Sequence, residues 1–240
     1  MTSTNVAIAG MLRRKRMLEL FSGTGSVGNV FRERGWDVTS LDRDMQADIK
    51  ADILEWDYRQ FPPGHFHFIW ASPPCTEYSK AKTVGVRKIE QANAVVQRTL
   101  EIITYLSPQY YTIENPQTGY LKQQPFMSEL PFKDVDYCKY GMPYRKRTRL
   151  WNNILHWCPR PLCLRDCLSM NGSRHRQTAQ QRKHSSGNYE EDVRVAVRSL
   201  YKIPSELVGE LVTALSDPTT VTDNTPGISG IPDSGVPRSA

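Results

Sequence analysis

Phe66-His67-Phe68-Ile69-Trp70-Ala71-Ser72-Pro73-Pro74-Cys75 decides the fold. Its apolar half reads as a short buried strand. The two prolines end that strand, because proline fixes φ and cannot donate to a ladder. A cysteine is thereby held just past a strand's carboxyl end, where open parallel α/β sheets present their chemistry. Tyr110-Tyr111-Thr112-Ile113 ends the same way, in Glu114-Asn115-Pro116. A candidate nucleophile and a candidate acid therefore occupy equivalent places on two strands.

Upstream, Met17 to Phe21 reads as a first strand running into the glycine turn Ser22-Gly23-Thr24-Gly25-Ser26-Val27-Gly28. A helix is expected from Ser26 to Arg34, with Gly35 as its stop. A second strand spans Trp36 to Leu41 and ends in Asp42, and a short segment from Ala47 to Leu54 carries Asp48 and Asp52. Val95, Val96, Leu100, Ile103 and Leu106 recur at helical spacing, which predicts a helix from Ile89 to Tyr105. Asp134 to Tyr140 and Arg149 to Ile154 read as further strands. This alternation predicts a doubly wound, mostly parallel α/β sheet with a small irregular basic insert. The expected organisation is a flexible basic arm over 1–16, a catalytic domain over 17–156 and a short basic insert over 157–188. Closing helices over 189–216 and a Pro/Gly/Ser/Thr-rich disordered tail over 217–240 complete it.

The 240 residues suffice for one such domain with a single core. No apolar stretch approaches the roughly 18 residues of a membrane span. The charges near the N-terminus follow its weakly apolar part, so a secretory leader is not expected. An intracellular setting is expected, in which the five cysteines are reduced. The net charge of +6 is unevenly spread: Lys139 to Lys183 holds 11 Lys or Arg against one acid, Asp166. Such a block points to a polyanion partner, most simply nucleic acid.

The glycine turn lacks the Gly-Lys-Ser/Thr ending of a phosphate loop, which disfavours ATP. Asp42, at the end of the next strand, is placed to bind ribose hydroxyls, and Asp52 to accept from an adenine amino group. A nucleoside cofactor without a long phosphate tail fits these parts. Arg145, Arg147 and Arg149 alternate along a strand and so share a face, which is expected to meet phosphate, carboxylate or a base edge. Cys158, Cys163, Cys167 and His175 could hold a structural zinc ion, with His156 or His184 as other candidates for the fourth ligand.

Taken together these residues resemble the cytosine-5 DNA methyltransferase family. Phe21-Ser22-Gly23-Thr24-Gly25 is similar to its first motif, Ser72-Pro73-Pro74-Cys75 to its nucleophile loop, Glu114-Asn115-Pro116 to its Glu-Asn-Val motif, and Arg147 and Arg149 to its paired arginines. Ser26 stands where the family has its second glycine, and the interval before the closing helices is short for a target-recognition domain. The resemblance implies an S-adenosylmethionine-dependent enzyme acting on cytosine in double-stranded DNA. Catalysis would fall to Cys75, Glu114, Arg147 and Arg149, and cofactor binding to Phe21, Ser22, Gly23, Gly25, Asp42, Asp52, Ile53 and Pro73. Lys80, Lys82, Arg87, Arg145, Arg174 and Arg176 would contact nucleic acid. A non-catalytic duplex-binding protein, and an enzyme acting on RNA or a cytosine nucleotide, stand as alternatives.

Overall fold

A computed structural model describes residues 14–177, 179 and 200–216. The expected helix from Glu190 to Leu200, apart from Leu200 itself, the tail over 217–240 and most of the N-terminal arm lie outside those residues. Arg16, placed in the arm by the sequence reading, instead opens the first strand.

Seven strands form one sheet: β1 (Arg16–Leu20), β2 (Asp37–Asp42), β3 (Ile49–Lys50), β4 (Phe68–Ala71), β5 (Tyr110–Pro116), β6 (Phe132–Asp136) and β7 (Arg147–Asn152). Their order is β3-β2-β1-β4-β5-β7-β6. All pairings from β3 through β5 are parallel, and β7 runs antiparallel to both β5 and β6. The order reverses beside β1, so the carboxyl ends of β1 and β4 flank the switch point, where open α/β sheets bind ligands. A separate hairpin, β8 (Met170–Asn171) and β9 (Arg174–His175), lies in the basic insert. The expected doubly wound, mostly parallel sheet is thus the observed one.

The central strands are buried on both faces, as continuous apolar runs require. Leu18, Leu20, Ile69, Ala71 and Ile113 pack with helix α2 (Ile89–Leu106), and Met17, Phe68, Trp70 and Leu150 pack with helices α1 (Gly28–Glu33) and α3 (Ser205–Ser216). Only a single-turn 3-10 helix, Tyr58–Gln60, joins β3 to β4. Trp56, Tyr58, Phe61 and Phe66 fill the space a crossover helix would occupy. The strand expected over Asp134–Tyr140 is shorter: after Asp136 the chain turns into a 3-10 helix, Tyr137–Tyr140, closed by Gly141 at φ +85°.

Helix α1 starts two residues later than expected, against β1 and β2. A Cβ on Gly28 would sit 2.4 Å from Glu19 Oε2 and 3.0 Å from Val38 Cγ1. Gly28→Ala is therefore expected to cost about 1–3 kcal/mol of stability through overpacking, read as a lower midpoint in chemical denaturation with an unchanged slope.

Candidate active site

The carboxyl ends of β1, β2, β4 and β5 open onto one cavity of about 420 Å³. Phe21, Ser22, Gly23, Asp42, Asp52, Ile53 and Pro73, singled out in the sequence as cofactor contacts, line it together with Cys75 and Glu114. Gly25 lies one step behind, in the turn. The glycine turn is tied to β2: Gly23, at φ +53°, donates its N–H to Asp42 Oδ2 at 2.8 Å, and Ser22 N–H donates to Leu41 O at 3.1 Å. Asp42 also accepts from the N–H groups of Asp44 and Met45, so its carboxylate is held in place by three backbone donors. Ser26 accepts from Ile203 N–H at 3.1 Å. That bond ties the turn to the segment preceding α3, and Tyr201 and Ile203 close the same cavity.

Two buried hydroxyls, Ser22 Oγ and Thr24 Oγ1, have no hydrogen-bond partner among the described residues. Buried polar groups are almost always satisfied, so two orphans on one turn point to a polar ligand. Asp42 and Asp52 make this end of the cavity acidic, which suits a ligand carrying positive charge. These donors and acids fit S-adenosylmethionine, with its sulfonium, ammonium and ribose.

Glu19 is buried beneath the turn, accepting from Gly28 N–H at 3.1 Å. Burial, the dominant influence, pushes its carboxyl up to about 7. Its unfolded value lies near 4.5. Between those values the folded chain holds a proton the unfolded chain has released, so stability falls as pH rises through that window and levels off above it. Glu19→Gln is expected to remove this slope: melting temperatures at ~pH 5 and ~pH 8 should converge relative to those of the parent chain.

The nucleophile loop and the β5 tip are joined. Asn115 Nδ2 donates to Pro73 O at 2.9 Å. Glu114 is buried, accepts from Tyr137 Oη at 3.2 Å, and lies 3.7 Å from Lys146 Nζ. Cys75 faces the same cavity; burial pushes its thiol up, the Glu114 charge pushes it further, and the Lys146 ammonium opposes both. Lys146 was not singled out in the sequence.

Of the partners expected for the arginine face, the structure supplies carboxylates. Arg147 and Arg149 face β6, where they form bidentate pairs with Asp136 and Asp134 (2.7 and 2.8 Å at the closest), and neither lines the cavity. Lys146, the residue just before β7, instead reaches toward Glu114. The sequence placed Arg147 and Arg149 in catalysis; here their shared face meets carboxylates of the protein itself, away from the cavity lining.

In the loop after Cys75, Lys82 is paired with Glu77 at 2.6 Å, and Arg87 donates to the carbonyls of Glu77 and Lys82 while covering the Tyr120 ring. These two cations brace the loop. Lys80, also over Tyr120, is exposed, as are Arg145, Arg174 and Arg176. The cysteine group is likewise corrected. Cys158 is exposed on a segment drawn toward α3 by Arg160, which pairs with Glu206 and Glu210. Cys138, from the turn after β6, meets Cys163, Cys167 and His175 instead.

A parallel sheet with a reversed β7 and a cavity at its switch point, joining a glycine turn, a ribose-type carboxylate and a strand-tip cysteine, defines an α/β methyltransferase. No family model matches the chain. A curated relative from Frog virus 3 (isolate Goorha), named "Probable DNA (cytosine-5)-methyltransferase", is 38% identical over 160 residues, covering 60% of this chain and 73% of the relative. The chain belongs to the DNA (cytosine-5)-methyltransferase family. Among solved structures, Dnmt2 methyltransferase of S. pombe aligns with TM-score 0.41 at 16% identity over 57% of this chain and 48% of that one. A mutant of Spodoptera frugiperda DNMT2 aligns with TM-score 0.39 at 15% identity over 60% and 52%. The chain thus spans about half the length of these solved chains. No helix among the described residues is long and apolar enough to cross a membrane.

Proposed function

We propose that the chain methylates carbon 5 of cytosine in double-stranded DNA through a covalent adduct on Cys75. One observation carries this reading: Cys75 and Glu114, from the tips of neighbouring strands, line a single cavity with the glycine turn and Asp42. Ser22, Gly23, Thr24, Asp42 and Asp52 would hold S-adenosylmethionine, which when bound supplies an electrophilic methyl group.

The ring atoms of a cytosine are inaccessible within a duplex, so the target base must swing out into the cavity. Cys75 then loses its proton, and its sulfur adds to carbon 6, breaking the 5,6 double bond. Glu114 holds ring nitrogen 3 and the exocyclic amine, and a proton delivered to nitrogen 3 takes up the electron density displaced by the sulfur. Lys146 keeps Glu114 oriented and offsets the burial of two acidic groups at one place. Carbon 5, now electron-rich, would take the methyl group as the methyl–sulfonium bond breaks and a neutral thioether leaves. Loss of the carbon-5 proton to a base and of nitrogen 3's added proton restores the ring as the sulfur leaves carbon 6. The exposed Lys80, Arg145, Arg174 and Arg176 would meet the phosphate backbone, making affinity fall steeply with salt.

A substrate panel tests this reading. The chain with tritium-labelled cofactor should label duplex DNA, with label recovered at cytosine carbon 5. Preferential labelling of RNA or free nucleotide would assign a different substrate. Tight DNA binding without transfer would support the binding-protein alternative.

A further inference from the structure

Four side chains that the proposed reaction does not use converge where the basic insert meets the sheet. Cys138 comes from the 3-10 turn after β6, Cys163 and Cys167 from the insert, and His175 from β9. Their ligand atoms all lie within 4.8 Å of one another, and Cys163 Sγ is 3.5 Å from His175 Nε2. Around tetrahedral zinc, with Zn–S about 2.3 Å and Zn–N about 2.0 Å, neighbouring ligand atoms stand roughly 3.5–3.8 Å apart. All of these cysteines are free thiols.

Two further features belong to a metal site. Arg165 adopts φ +69°, and from that turn its backbone N–H donates to Cys163 Sγ at 3.3 Å. An N–H aimed at sulfur stabilises a thiolate ligand. The insert also has almost no core of its own: from Cys158 to Gln177 only Cys163 and Ser169 are buried, while Leu164 and Leu168 are 85% and 96% exposed, and polar contacts such as the Arg160 pairs with Glu206 and Glu210 are its other ties to the domain. A loop-rich segment without a core needs a staple.

We propose that Cys138, Cys163, Cys167 and His175 bind one structural zinc ion per chain, clipping the basic insert to the end of β6. On binding, the three thiols release their protons to solvent and His175 coordinates as neutral imidazole. Four protein ligands close the coordination shell, so the metal takes no part in methyl transfer. The clip reaches β7 as well: Cys163 N–H donates to Asp136 Oδ2 at 2.9 Å, and the same carboxylate holds Arg147. Zinc thus fixes the insert, with Arg174 beside the ligand His175, relative to β7 and to Lys146 just before it.

Elemental analysis of the full chain, purified reduced with zinc supplied, tests this. One zinc per chain is expected, retained by Cys158→Ser and lost by Cys138→Ser. Cobalt substitution should give the intense visible bands of tetrahedral thiolate coordination in the parent chain and in Cys158→Ser, and none in Cys138→Ser. Titration of the parent chain with a mercurial should release one equivalent of zinc, a readout that requires no variant. A parent chain that holds no metal although purified with zinc supplied would overturn the proposal, as would a disulfide among these cysteines under reducing conditions. Retention of stoichiometric zinc by Cys138→Ser alongside its loss from Cys158→Ser would also overturn it.

Discussion

Cys75→Ala is expected to lower methyl transfer to DNA by at least about 10⁴-fold, equivalent to ~5.5 kcal/mol of barrier. Without sulfur at carbon 6, carbon 5 of cytosine never becomes nucleophilic enough to accept a methyl group. The variant should still bind cofactor and duplex, because the orphaned hydroxyls of Ser22 and Thr24, the carboxylate of Asp42 and the exposed cations are untouched. Stability should change little, since Cys75 sits at a cavity wall. Steady-state transfer assays alongside equilibrium binding separate these effects. The parent enzyme's pH profile should carry the same residue's mark. Burial and Glu114 hold the Cys75 thiol above its ordinary range, so the rate of adduct formation should keep rising with pH through the usual thiol range.

Glu114→Gln should have the second largest effect, a loss of about 10²–10⁴-fold in transfer, the range typical of a positioned proton-transfer group. A structural role alone would not produce its second signature. The Glu114 charge pushes the Cys75 thiol up, so removing that charge should bring the thiol down and speed alkylation of Cys75 by iodoacetamide near neutral pH. Methyl transfer falls while thiol reactivity rises. Lys146→Met should do the reverse to the thiol, because the Lys146 ammonium favours the thiolate. Quenched alkylation followed by mass spectrometry of the Cys75 peptide distinguishes the two directions. Equal alkylation rates in all three chains would mean that these groups do not sense one another.

The parts of the site that were legible in the sequence are those set by local chain chemistry. Pro73-Pro74 stops β4 wherever it is placed, and Cys75 must follow. Glu114-Asn115-Pro116 closes β5 in the same manner, and the glycine turn before α1 leads to Asp42 at the next strand's end. The parts that were misread depend on which partner lies across a ladder. Alternation along β7 separates Arg147 and Arg149 from Thr148, but it does not say what each face meets. Asp134 and Asp136, opposite Arg149 and Arg147 in the β6 register, make that choice. A shift of one residue exchanges the faces. Cys138 escaped notice because it lies 25 residues before Cys163, inside the run Tyr137-Cys138-Lys139-Tyr140 that reads as strand. Only the 3-10 turn after Asp136 brings its sulfur to the insert. The segment between β3 and β4, for which the sequence announces no helix, is covered in another way. Aromatic side chains from a coiled segment supply the apolar cover that a helix normally gives, and no periodicity announces it.

The acidic lining near the glycine turn and the basic insert divide the two ligands by charge. On the proposed reading a cationic cofactor would be drawn to Asp42 and Asp52, and a polyanion to the exposed Lys80, Arg145, Arg174 and Arg176. Lys146, paired with Glu114, sits where these two regions meet.

Covalent capture on duplex DNA containing 5-fluorocytosine, with cofactor present, tests the central claim most directly. Fluorine at carbon 5 cannot leave as the proton does, so the sulfur adduct should persist. Peptide mapping should find one DNA-linked site, Cys75, and Cys75→Ala should give none. Methylation of ordinary DNA by a chain that yields no adduct, or an adduct on another residue, would contradict the account.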